Sequence, residues 1–110
     1  WIKTNSQTNQ RIINYGNEQT GQKYHIRIDQ NNGGTIRVEV NGGYKHGTNK
    51  INDGQWHHIA IILPQGATNV NQHKIYIDGQ QETQTKSKSQ TKNTTEHIQT
   101  HFMLQTTQKE

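Results

Sequence analysis

The stretch INDGQWHHIAIIL, residues 51–63, is the one place where a turn signal runs straight into a dense apolar segment. Asn52, Asp53 and Gly54 combine side-chain oxygens that bond the local backbone with a glycine tolerant of positive φ, the chemistry of a reversal before a strand. Over 56–63, Ile59, Ile61 and Leu63 fall on one set of alternate positions, and Ala60 and Ile62 follow His58 on the other. Both faces therefore carry apolar atoms, which predicts a central strand buried on two sides and stopped by Pro64.

Outward from that strand the chain is poor in core material. Only 25% of its 110 residues are hydrophobic, so a single domain over 1–110 has to fold on a few well-placed Ile, Val and aromatic side chains. The net charge of +4 reflects few acids rather than many bases. Lys and Arg are scattered singly, which argues against a nucleic-acid partner. Absence of cysteine excludes disulfides and thiol chemistry without deciding the compartment. No run approaches the ~20 apolar residues of a membrane span, and the opening WIKT does not read as a signal peptide.

Short alternating runs separated by Gly and Asn make up the rest. Residues 22–29 place Tyr24, Ile26 and Ile28 inward and His25, Arg27 and Asp29 outward, and 35–40 repeat the pattern with Ile36, Val38 and Val40 inward. Between them QNNGG turns the chain, making a hairpin. A shorter run at 11–15, a weak strand at 44–48 and HKIYIDG at 73–79 complete the set, the last as hairpin partner of the 56–63 strand. No segment has a 3.6-residue period, so the fold class is all-β. Residues 80–95 form a polar, low-complexity segment without an apolar side chain. That composition predicts either disorder or a solvent-exposed strand held by backbone pairing alone. Ile98, Phe102 and Leu104 then share one side of a further strand.

WIKT at 1–4, IINYG at 12–16, NNGGTIRVEV at 31–40, INDGQWHHIAIILP at 51–64 and KIYIDG at 74–79 resemble, in order and spacing, the successive strands of laminin G-like, concanavalin A-like jelly rolls. The resemblance runs from Trp1 to about Gln80 and implies an antiparallel β-sandwich in secreted or surface proteins that bind glycans, matrix or other proteins. Members of that family also carry a strand before the W-[IV]-K run and a closing G-x-[IL]-D-E-[VI] strand, neither of which is visible here. An incomplete jelly roll lacking terminal strands is expected, with open edges that favour self-association. Its glucanase relatives use an E-x-D-x-x-E strand to set carboxylates on one face. Glu39 and Asp78 have no such spacing, so the chain does not read as an enzyme, and no catalytic residue is assigned.

For glycan binding, an exposed aromatic face and nearby amides are the useful chemistry, which selects Tyr15, Tyr44 and Tyr76 with Asn17 and Asn41. Trp1 and Trp56 read as core. Asp53 and Asp78 are weak metal candidates, each beside a turn glycine. The resemblance implies calcium near the W-H pair, but position 58 is histidine. His57 and His58 point to opposite faces and cannot chelate one ion together, so one of them is expected beneath the sheet on a backbone hydrogen bond. His25, His46, His73, His97 and His101 are too dispersed for a ligand set and are expected on the surface. Asn93 heads the sequon NTT and is a glycosylation acceptor in a secreted eukaryotic protein. Two functions follow: a non-catalytic extracellular or cell-surface module binding carbohydrate or a matrix protein, or a structural subunit assembling by strand pairing, which the Gln/Asn/Thr-rich stretches would favour.

Overall fold

The computed structural model describes residues 1–91, and its strands follow the alternation of the sequence. In chain order they are β1 (Ile2–Lys3), β2 (Gln10–Tyr15), β3 (Tyr24–Asp29), β4 (Thr35–Val40), β5 (Gly43–His46), β6 (Trp56–His57), β7 (Ile59–Ile62), β8 (Lys74–Ile77), β9 (Gln80–Gln81) and β10 (Lys86–Lys88). Short 3₁₀ turns at Gln30–Asn32 and Val70–Gln72 are the only helical segments among the described residues. None of them is long and apolar enough to cross a membrane.

One antiparallel sheet has the order β10-β5-β4-β3-β2, a second β7-β8-β9, and β1 and β6 form a separate two-stranded ribbon. The β3–β4 hairpin pairs Tyr24 with Val40, Ile26 with Val38 and Ile28 with Ile36, so all six share the inner face and are at most 2% exposed. Opposite them, Ile59 and Ile61 of β7 and Ile75 and Ile77 of β8 close the core, with Ile51 and Val70 from the connections. This is an antiparallel β-sandwich. Each such Ile or Val stabilises it by about 1.5–3 kcal/mol through burial, so a short list of side chains carries the fold. Beneath the hairpin loop, Gly34 has φ +75, and a Cβ there would collide with the Asn52 side chain. No other residue type fits that position.

The segment at 56–63 differs from its sequence reading. Asp78 accepts from the His58 amide at 2.8 Å and donates its own amide to the His58 carbonyl. That clamp ends the strand at His57 and starts another at Ile59. β6 pairs with β1, while β7 pairs with β8 and is an edge among the described strands. Burial along β7 alternates, with Ile59 and Ile61 buried and Ala60 and Ile62 half-buried, so the strand is not covered on both sides. Trp1 and Trp56 are 46% and 40% exposed rather than core. Register explains Trp56: it shares a face with Lys3, and the opposite face of the ribbon holds Ile2 and His57. From 80 to 91 the polar segment is ordered as β9 and β10, and β10 is exposed at every residue and paired to β5. Asn93, His97, His101 and the strand expected at 98–104 lie outside the described residues.

Candidate functional site

Alternation along β3 and β4 sends every second side chain away from the core, and register aligns those side chains across the sheet. Arg11 of β2 stands opposite Arg27, and Arg27 opposite Arg37. Arg37 in turn stands opposite His46, and His46 opposite Lys86 of β10. A row of basic side chains thus crosses all strands of the larger sheet. The adjoining row runs Asn14, His25, Glu39, Tyr44 and Lys88. A bulge between Arg11 and Ile13 makes this alignment, because it resets the alternation of β2 to match β3.

Two carboxylates tie the rows together. Arg37 donates to Glu39 from Nε at 2.8 Å and to Asp29 from Nη1 at 3.0 Å, while Asn32 also donates to Asp29 at 2.6 Å. Lys23 reaches Glu39 at 2.9 Å. Burial alone would raise the Asp29 carboxyl, but hydrogen bonds from Asn32 and Arg37 and the charges of Arg27 and Arg37 outweigh it and hold it below its usual range. Glu39 is held down in the same way against its burial, by Lys23, Arg37 and His25. The Arg37 guanidinium lies 4.1 Å from the Tyr44 ring centre, and that ring stacks on His46 at 5.9 Å. Side chains so anchored form a stiff polar surface with one half-buried aromatic ring in it.

The three dispersed histidines of the described chain are buried, not on the surface. His25 lies wholly beneath its neighbours on the polar face, and burial pushes its pKa down to about 4, with Glu39 opposing and Lys23, Arg27 and Arg11 reinforcing. His46 is held by its ring stack and by Nδ1 on the Gly47 carbonyl at 2.9 Å. His73 donates Nδ1–H to the Val70 carbonyl at 2.7 Å, leaving Nε2 to accept from the core hydroxyl of Tyr24 at 2.6 Å.

At one end of the sandwich the residues of the D-G-x-W-H and Y-I-D-G motifs meet. His57 donates Nδ1–H to Asp78 at 2.7 Å and Nε2–H to Asp53 at 2.9 Å. A carboxylate on each side favours the doubly protonated ring. Burial would lower the His57 pKa, yet these two bonds and charges raise it. His57 therefore bonds to two side chains. A laminin G-like family model, described as the concanavalin A-like lectin/glucanases superfamily, matches residues 1–101. The chain belongs to this superfamily. Searches of curated proteins and of solved structures give no match.

Within this laminin G-like sandwich the sequence-selected residues do not converge on one place. Tyr15, 49% exposed, ends β2. Asn17 binds Gln22 and Gln19 in the following loop, and Asn41 donates to the Glu18 carbonyl and accepts from the Gly21 amide. Those three lie at one end of the larger sheet. Tyr44 stands on its polar face, and Tyr76 is on β8 of the other sheet, opposite Ala60 and Gln81. Asp53 and Asp78 are turn residues whose carboxylates hold His57. The His58 ring packs edge-on against Trp1 at 5.2 Å. Among the described residues no group of three His, Asp or Glu is arranged to hold a metal. Unselected by sequence were His25, Arg27, Asp29, Arg37 and Glu39. Their outward alternation was visible, but their alignment was not.

Proposed function

We propose that this chain is a non-catalytic recognition module that holds carbohydrate, alone or on a matrix partner, against the outer face of its five-stranded sheet in an extracellular or cell-surface setting. The observation that carries the reading is Tyr44, a half-buried ring in contact with Arg37 and His46 in a polar surface. An aromatic ring takes the C–H face of a sugar while anchored donors and acceptors around it meet the hydroxyls. Membership of a lectin/glucanase superfamily supports the carbohydrate class and the extracellular setting. The carboxyls support a non-catalytic role: Asp29, Glu39, Asp53 and Asp78 all lie below their usual range, whereas a glycosidase general acid needs a raised pKa. Titration of the folded chain with an oligosaccharide panel tests the reading. Saturable binding that Tyr44→Ala weakens at least tenfold supports it, and no binding to any carbohydrate removes it.

A second reading, self-association by strand pairing, draws on β2 and β10, the two edges of the larger sheet among the described residues. Sedimentation velocity decides it: a monomer at micromolar concentration excludes assembly, and concentration-dependent polymers favour it.

A further inference from the structure

The open edges of the two sheets differ in chemistry. Lysines, other charges, bulges and short length are the devices that keep a sheet edge from pairing with another chain. β10 is Lys86, Ser87 and Lys88, exposed throughout, and β2 carries Arg11 beside its bulge. β9, one edge of the smaller sheet, is two residues long. β7, its other edge among the described strands, has none of these protections. Its residues are Ile59, Ala60, Ile61 and Ile62, and no Asp, Glu, Lys or Arg occurs anywhere from 54 to 73. β1 pairs only with Trp56 and His57 of β6, so its cover stops short of Ile59.

The ladder shows which main-chain groups line that edge. The His58 carbonyl accepts from the Asp78 amide, and hydrogen-bonded pairs alternate with non-bonded ones along an antiparallel ladder. Ala60 and Ile62 therefore turn their amides and carbonyls towards Tyr76 and Lys74 of β8, while those of Ile59 and Ile61 point away, with no strand opposite them among the described residues. We propose that β7 pairs with β7 of a second copy of this chain about a two-fold axis, joining two three-stranded sheets into one. Centred on Ala60, the axis sets Ile59 opposite the partner's Ile61 and Ile61 opposite the partner's Ile59, making about four main-chain hydrogen bonds. Ala60 then meets the partner's Ala60 where the strands come closest, a position that suits a small side chain, and the buried Ile59–Ile61 stripe continues across the axis. A two-fold axis brings each group beside its own kind. Pairing of β10 would oppose lysines to lysines, and pairing of β2 would oppose arginines, both destabilising; pairing of β7 opposes no charge. So short an edge buries less than the standard interface of about 800 Å² per partner, which puts the dimer in the micromolar range rather than the nanomolar. The inference rests on the self-association reading and moves it from the larger sheet to the smaller.

Sedimentation velocity of the full 110-residue chain across micromolar concentrations tests it, with amide hydrogen exchange at the two extremes. Expected is a monomer–dimer equilibrium in which the Ile59 and Ile61 amides gain protection as concentration rises. Ala60→Lys and Ala60→Glu each place like charges at the axis and should weaken association at least tenfold, and mixing the two variants should restore a dimer. A variant that merely disturbed the fold would not be rescued in this way, and circular dichroism establishes that each is folded. The double variant Lys86→Gln/Lys88→Gln on β10 should leave association unchanged. A monomer at every concentration removes both this inference and the self-association reading. Oligomers that the Ala60 variants leave intact overturn the β7 edge alone, and self-association survives on another edge. Ile59 and Ile61 amides protected equally in the dilute monomer would show that the chain's own residues occupy the edge, and would overturn the proposal even if the Ala60 variants failed to fold.

Discussion

Two regions of this sandwich place a histidine against a carboxylate, and the two rings end in opposite states. On the sheet face His25 is wholly buried, 3.6 Å from Glu39, and its pKa falls to about 4. At the sandwich end His57 sits between Asp53 and Asp78 and its pKa rises. A carboxylate within reach does not decide the charge. Glu39 is shared with Lys23 and Arg37, so little of its field is left to offset the cost of burying an imidazolium. Asp53 and Asp78 have no Lys or Arg partner among the described residues, and both turn to His57. The sheet face therefore keeps its positive charge on Arg and Lys, while the His57 clasp depends on a proton.

Removing the carboxylate from each region gives the largest contrast. Asp29→Ala strands Arg27, Arg37, Asn32 and the Asn31 amide together, and should cost about 3 kcal/mol, the lower end of the range for breaking a buried pair. Asp53→Ala at the exposed clasp should cost clearly less. Urea midpoints of the two variants measure this, and equal losses would mean that burial does not separate the regions. Of similar size is an acid limb set by His25. Its folded pKa of about 4 lies below the unfolded value. The stability it contributes is therefore complete above about pH 6.5 and is lost as pH falls through 4, by roughly 3 kcal/mol once both states are protonated. His25→Gln should flatten stability across that window. An unchanged slope would show that the ring titrates normally and is not buried as described.

A smaller effect is expected at the hinge between β6 and β7. Asp78 has φ +52 and accepts from the His58 amide as well as from His57. Asp78→Ala should cost about 2 kcal/mol, combining an unmet amide with a left-handed alanine. Asp78→Asn, which tolerates that φ and keeps an acceptor, should recover about half. If the asparagine variant lost as much as the alanine, charge on His57 rather than the turn would dominate.

This hinge also marks where reading the sequence reached its limit. The β3–β4 hairpin was legible because period two and an Asn-Gly turn are local signals, and Ile36, Val38 and Val40 lie where alternation puts them. The break at His58 was not, because it is made by Asp78, twenty positions on along the chain. Trp56 read as core from its hydrophobicity, but the pairing of Lys3 with Trp56 sends it outward. His25 read as surface from its polar phase, yet it is wholly buried. The basic row is the extreme case. Each of its members stands alone in its own strand, and only cross-strand register, with one bulge in β2, composes them into a line.

The smallest effect, and the most direct test of the contrast between the histidines, is the alkaline limb of His57. Its folded pKa lies above the unfolded value, so the stability from its two bonds is complete below about pH 6.5 and is lost as pH rises through the folded pKa. Asp53 and Asp78 work in the other direction: their folded values are lowered, so their share is present above about pH 4 and lost as pH falls through the folded value. Between those limits the clasp is closed. Because the acids are largely exposed, the alkaline loss should be about 1 kcal/mol or less, shrinking further in high salt, whereas the buried His25 limb should resist salt. Urea melts of the wild type and His57→Gln across neutral pH, at low and high salt, measure it. An alkaline loss that persists in His57→Gln, or one that salt leaves untouched, would assign it to another group and dissolve the distinction between an exposed ionic clasp and a buried neutral ring.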